Sequence, residues 1–139
     1  MTKKCKNTPD FVTKKCLNSI YKGLLAEHIV GQELKASNIF ERDLSFWVRD
    51  KKQSQAEVDF VVNYKKYIIP IEVKSGKSGT LKSLHKFMEM SNHKYAVRFY
   101  AGELNKKRIS TPSGKNFNLL SLPYCLAGKL KNYLDWFIV

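Results

Sequence analysis

Glu27, Asp59, Glu72 and Lys74 are the residues whose types and surroundings could do chemistry, because each sits where a charge is expensive. Between about Leu17 and Ala36 the apolar spacing is helical, with Ile20, Leu24, Gly31 and Leu34 on one stripe, and Glu27 falls inside that stripe. Asp59 lies between Val58 and Phe60 in a strand-like run. In Pro70-Ile71-Glu72-Val73-Lys74 the two-residue period of a strand puts Glu72 and Lys74 on one face and Ile71 and Val73 on the other. Burying a charge costs several kcal/mol unless it is paired or binds a metal. Three carboxylates about 5 Å apart repel by ~3 kcal/mol per pair at an effective dielectric of 20. A site that gathers them needs a divalent cation or loses a charge by protonation, and hard oxygen donors suit Mg²⁺ or Mn²⁺. The purely structural alternative is a Glu72–Lys74 ion pair on an exposed face, with Asp59 capping a turn.

The elements that must position these residues can be read from the same spacing. After the first helix come three strand-like runs, marked by Leu44, Phe46 and Val48, then Val58, Phe60 and Val62, then Ile69, Ile71 and Val73. Polar links at 50–56 and 63–66 join them as hairpin loops. Ser75-Gly76-Lys77-Ser78-Gly79 breaks the pattern, and Leu81, Leu84 and Met88 mark a second helix that ends before Asn92. Tyr95–Tyr100 and Asn116–Leu122 read as further strands, the latter stopped by Pro123. Leu126, Leu130, Tyr133, Leu134 and Phe137 form a closing amphipathic helix. The expected order is α-β-β-β-α-β-β-α, an α/β (α+β) chain with a flexible basic segment over 1–16 and a single domain over 17–139. Phe46 and Trp47 are expected to fill the flank of the sheet, and His28 to be a packed or surface residue.

Composition limits the partners. Lys and Arg number 25 against 12 Asp and Glu in 139 residues, a net charge of +13, which favours a polyanion and nucleic acid first. Hydrophobic residues at 43% and aromatics at 12% make the chain too apolar for a disordered basic tail. No apolar run approaches the ~20 residues a bilayer demands, and no apolar stretch follows Lys3, Lys4 and Lys6, so the expectation is a cytoplasmic domain without a membrane partner. Three widely spaced cysteines, Cys5, Cys16 and Cys125, provide neither a disulfide framework nor a zinc knuckle. Gly76-Lys77-Ser78 imitates the end of a phosphate loop, but Ile71 stands where that loop needs its first glycine, so ATP is not expected there. Lys77, Lys82 and Lys86 flank the acids and are the expected nucleic-acid contacts.

Asp59, twelve intervening residues and then Glu72-Val73-Lys74, preceded by a helical Glu27, resembles the PD-(D/E)xK nuclease arrangement, with Val58 where proline is usual. The segments Gly23–Leu34, Phe46-Trp47, Glu57–Val61, Ile69–Gly76 and Leu122–Gly128, in that order, resemble the uncharacterised C-terminal domain that trails many bacterial and archaeal AAA-type ATPases. The resemblance implies a restriction-endonuclease-like mixed sheet flanked by helices. It implies that Asp59 and Glu72, with the Val73 carbonyl, hold Mg²⁺ or Mn²⁺. It gives Glu27 the task of holding a water on the metal, and Lys74 that of orienting the attacking water or stabilising phosphorane charge. The implied function is DNA phosphodiester hydrolysis. The alternative is a non-catalytic nucleic-acid-binding or regulatory module acting with an AAA-type ATPase, whether as partner or as a missing domain; DNA versus RNA and the oligomeric state stay open.

Overall fold

The computed structural model describes residues 22–37, 44–49, 56–77 and 79–139. The expected flexible segment 1–16 and the helical start at Leu17 lie outside these residues. Helix α1 spans Lys22–Ala36, and strands β1, β2 and β3 span Leu44–Arg49, Ala56–Tyr64 and Tyr67–Val73. Helix α2 (Lys82–Met90) follows, then β4 (Tyr95–Tyr100), β5 (Asn105–Ser110) and β6 (Asn116–Pro123). A 3₁₀ segment, Tyr124–Lys129, leads into α3, Leu130–Phe137.

The strands form one mixed sheet in the order β1-β2-β3-β4-β6-β5. β1, β2 and β3 pair antiparallel, β3 with β4 and β4 with β6 pair parallel, and β5 pairs antiparallel with β6. The expected mixed sheet with helices is therefore found, with one more strand than the sequence pattern revealed. β5 reads Asn-Lys-Lys-Arg-Ile-Ser and is mostly exposed, because an edge strand need not alternate apolar residues, and lysines at an edge hinder pairing with other chains. The link expected over 63–66 shrinks to Lys65-Lys66, with Lys65 at φ 54, since Asn63 and Tyr64 continue β2.

Alternation along the strands divides the core between the two faces of the sheet. Val62, Ile69, Ile71, Val97, Phe99, Leu120 and Leu122 bury against Val30 and Leu34 of α1 and Leu130 and Leu134 of α3. Val61, Ala96, Phe117 and Leu119 bury on the other face with Leu84, Phe87 and Met88 of α2, and Trp47 packs edge-on against Phe87 at 5.3 Å. Two apolar expectations fail. Leu24 is 69% exposed, because α1 presents Ala26, Val30 and Leu34 to the sheet, and Phe46 is 74% exposed on edge strand β1 instead of filling its flank. Gly31 lets α1 lie on β2, since a Cβ there would stand 2.9 Å from Cζ of Phe60.

Candidate functional site

The β2–β3 hairpin brings Asp59 to Glu72-Val73-Lys74. Their ladder runs from Tyr64↔Tyr67 to Phe60↔Ile71. Beyond it the Asp59 side chain takes over, and the Val73 N–H donates to Asp59 Oδ2 at 2.6 Å. The local cause is a shift of the β1–β2 register. Ser45 pairs with Val61 but Trp47 with Val58, leaving Asp59 and Phe60 together opposite Phe46 as a bulge. Bulges re-aim side chains in this way. Val58 belongs to the α2 side of the core and Phe60 packs on the α1 side, so Asp59 stands where β2 changes its facing.

Glu72 is buried, at 5% exposure, and its Oε1 receives the Lys74 ammonium at 2.6 Å. Its Oε2 is buried without a hydrogen-bond partner. The ion pair of the structural alternative thus exists, but it is buried at its carboxylate end rather than lying on an exposed face. Asp59 caps the end of the hairpin ladder, not a turn. Lys74 is fixed through its backbone: its N–H donates to the Phe99 carbonyl at 2.8 Å, and its carbonyl accepts the Tyr124 hydroxyl.

Charge repulsion joins Glu27 to this group. Burial raises the Glu27 carboxyl above its ordinary 4.5, and the charges of Asp59 and Glu57 raise it further. Asp59 is raised from 3.8 chiefly by burial, against the lowering pull of the Val73 N–H and Lys74. Glu72 is raised from 4.5 by burial and by Asp59 and Glu27, opposed by Lys74. Asp59, Glu72 and Lys74 therefore meet at the end of the hairpin, with Glu27 on α1 near enough to feel the charge of Asp59 and to act on Glu72, and Asp59 is the charge both glutamates feel. Glu57, exposed on β2, adds a further negative charge that the sequence pattern did not single out.

For an acid whose folded value is raised, the stabilising contribution is full below its ordinary value and is lost as pH climbs through the raised one. Metal-free protein should accordingly lose stability as pH rises from about 4 towards neutrality. Glu27→Gln removes a charge for which every influence is unfavourable, so it should raise the melting temperature at pH 7 slightly, solvent screening keeping the gain small, and flatten that slope. Thermal melts in EDTA across pH test both.

Tyr124 is the residue that spacing could not have found. It is buried, its hydroxyl is pushed up to about 12 by that burial, and it holds the Lys74 carbonyl from 50 positions away. Tyr124→Phe deletes that bond without a cavity and should cost about 1 kcal/mol in urea unfolding. Of the expected nucleic-acid contacts, Lys77 and Lys82 are exposed, whereas Lys86 is half-buried and engaged in an interaction of its own. His28 is an exposed surface residue bonded to Gln32 at 3.0 Å.

Among the described residues no three His, Cys, Asp or Glu side chains are placed to hold a metal ion, so a cation here would rest on fewer carboxylates. No helix among these residues is long and apolar enough to cross a membrane. A family described as "Domain of unknown function (DUF4143)" matches residues 22–124, a span that contains every residue of the cluster and ends on Tyr124. No curated relative matches the chain.

Proposed function

The chain belongs to the DUF4143 family, a domain of unknown function, and from that premise we propose that it is a nuclease-fold domain hydrolysing DNA phosphodiester bonds with Mg²⁺ or Mn²⁺. One observation carries the reading: Asp59 and the Glu72–Lys74 ion pair meet at the end of the β2–β3 hairpin, where Asp59 Oδ2 holds the Val73 N–H and burial raises both carboxyls, as it raises that of Glu27. A scaffold with only a structural task gains nothing from such an arrangement, whereas perturbed carboxylates beside a positioned cation are what acid–base and phosphoryl chemistry require.

The donor set suits a hard cation. Asp59 and Glu72 offer carboxylate oxygens, and the buried, unpartnered Oε2 of Glu72 is an acceptor that a cation would satisfy. Asp59 and Glu72, with the Val73 carbonyl, would hold the ion, and two carboxylates fit Mg²⁺, which keeps several of its waters. Bound there, it would supply Lewis-acid stabilisation of phosphate charge and acidify water. Glu27, whose proton affinity is raised, would accept a hydrogen bond from the attacking water. The water oxygen forms a new bond to phosphorus as the opposite ester P–O bond breaks, its proton is taken up by the site or by solvent, and the leaving alkoxide gains one. Lys74 would donate to the phosphoryl oxygens as their charge grows. Exposed Lys77 and Lys82 would neutralise flanking phosphates, as the net charge of +13 favours.

The test is incubation of the full chain with supercoiled, linear and single-stranded DNA, and with RNA, in Mg²⁺, Mn²⁺ or EDTA. Cation-dependent nicking or cleavage of DNA is expected. Protein that binds metal and DNA yet cuts nothing would assign the domain to the alternative, a nucleic-acid-binding or regulatory module acting with an AAA-type ATPase.

A further inference from the structure

The parallel register sets Glu72 of β3 beside Arg98 of β4, and Arg98 beside Ser121 of β6. Alternation puts this polar row on the same face of the sheet as Ala96 and Leu119. The α2-side core ends at those two residues, one alternation short of Arg98 and Ser121. The row thus runs from the acid cluster along the carboxyl ends of the three parallel strands, the end of such sheets where ligands are usually received.

Arg98 is held unusually firmly for a half-buried arginine. Its Nε and Nη2 both donate to Ser121 Oγ, at 3.1 and 2.9 Å, and Ser121 is fully buried. Its guanidinium stacks on the Tyr100 ring, with Cζ 4.2 Å from the centroid. Tyr100 is itself fixed, its hydroxyl donating to the Glu103 carbonyl at 2.6 Å, and Gly102 leaves room for its ring, since a Cβ there would stand 2.3 Å from Cε2. Yet a serine hydroxyl carries no charge. The adjacent carboxylate, Glu72, is turned to Lys74, and among the described residues Arg98 forms no ion pair. A guanidinium fixed in place, partly desolvated and without a counter-ion is built to receive an anion, and its planar donors match phosphate oxygens.

We infer that Arg98 anchors a backbone phosphate of the nucleic acid, next to the phosphate that the acid cluster acts on. This rests on the nuclease reading for its choice of anion but is tested by binding alone. Arg98→Gln removes the charge while its amide can still donate to Ser121, and Arg98→Lys restores the charge without the planar fork. Fluorescence anisotropy with a labelled duplex in EDTA, over a series of salt concentrations, reads the number of phosphates neutralised, at a log–log slope of about −0.9 each. Arg98→Gln should bind with a slope shallower by about 0.9 and roughly tenfold more weakly at low salt, and Arg98→Lys should recover the slope. An unchanged slope in Arg98→Gln protein that melts like wild type overturns the inference and leaves the nuclease reading standing. Wild-type protein that binds no DNA overturns both. If the slope falls as expected but wild type cuts nothing in Mg²⁺ or Mn²⁺, the phosphate anchor stands and the nuclease reading fails.

Discussion

Lys74→Met should lower the rate of DNA cleavage by about 10²–10³-fold while leaving cation and DNA binding largely intact. The magnitude is that of removing one preorganised donor to developing negative charge. Preorganisation is the reason to expect the full effect. The Lys74 backbone is pinned by Phe99 and Tyr124, its ammonium rests on Glu72 Oε1, and the loop at Gly79 lies against its aliphatic stem. A lysine held at four points loses little order on meeting a substrate. If Lys74 were only a counter-charge to Glu72, the same substitution would lower stability or sharpen the need for a cation and leave any turnover unchanged. Single-turnover cleavage, measured beside urea unfolding, separates the two results.

The second large effect is expected at Asp59, where two substitutions should diverge. Asp59→Asn keeps an oxygen that can accept the Val73 N–H but removes the charge. Cation affinity should then fall by no less than the 10–100-fold that groups outside the ligand shell typically cost. Metal-free stability should rise, because Glu27 and Glu72 lose a repelling neighbour. Asp59→Ala also strands the Val73 N–H and should cost about 1–3 kcal/mol. Calorimetric titration with Mn²⁺ and urea unfolding of the two variants read these outcomes. Equal Mn²⁺ affinity in wild type and Asp59→Asn would remove Asp59 from the ligand set.

What the sequence disclosed follows from which interactions are local. The acid cluster was legible because Asp59, Glu72 and Lys74 lie on adjacent strands, and because charges within apolar runs stand out whatever the fold. Six of the eight expected elements match closely within the described residues, each being apolar on one face, and the first and last helices overlap the observed α1 and α3. β5 was hidden by its lysines, and the exposure of Leu24 and Phe46 depends on how α1 rotates and which strand ends at the edge. Tyr124 and Arg98 owe their places to contacts spanning 50 and 23 positions, which period and spacing cannot report. The bulge at Asp59 and Phe60 is likewise a property of the pairing between β1 and β2, and no residue in it is a bulge signal by itself.

The short Lys65-Lys66 turn has a consequence for how the molecule is assembled in time. A hairpin closed by two residues forms in about 1–10 μs, whereas the pairing of β3 with β4 must wait for the crossover through α2, and the Tyr124 contact for the whole of β4, β5 and β6. Asp59 and Glu72 thus need only a short loop closed to meet, with Lys74 in the same local segment as their compensating charge, while the β1–β2 bulge, Phe99 and Tyr124 fix their aim from outside the hairpin. Because burial is the main cost at these carboxylates, the unfavourable step falls when the later elements cover the hairpin, after its two strands have paired.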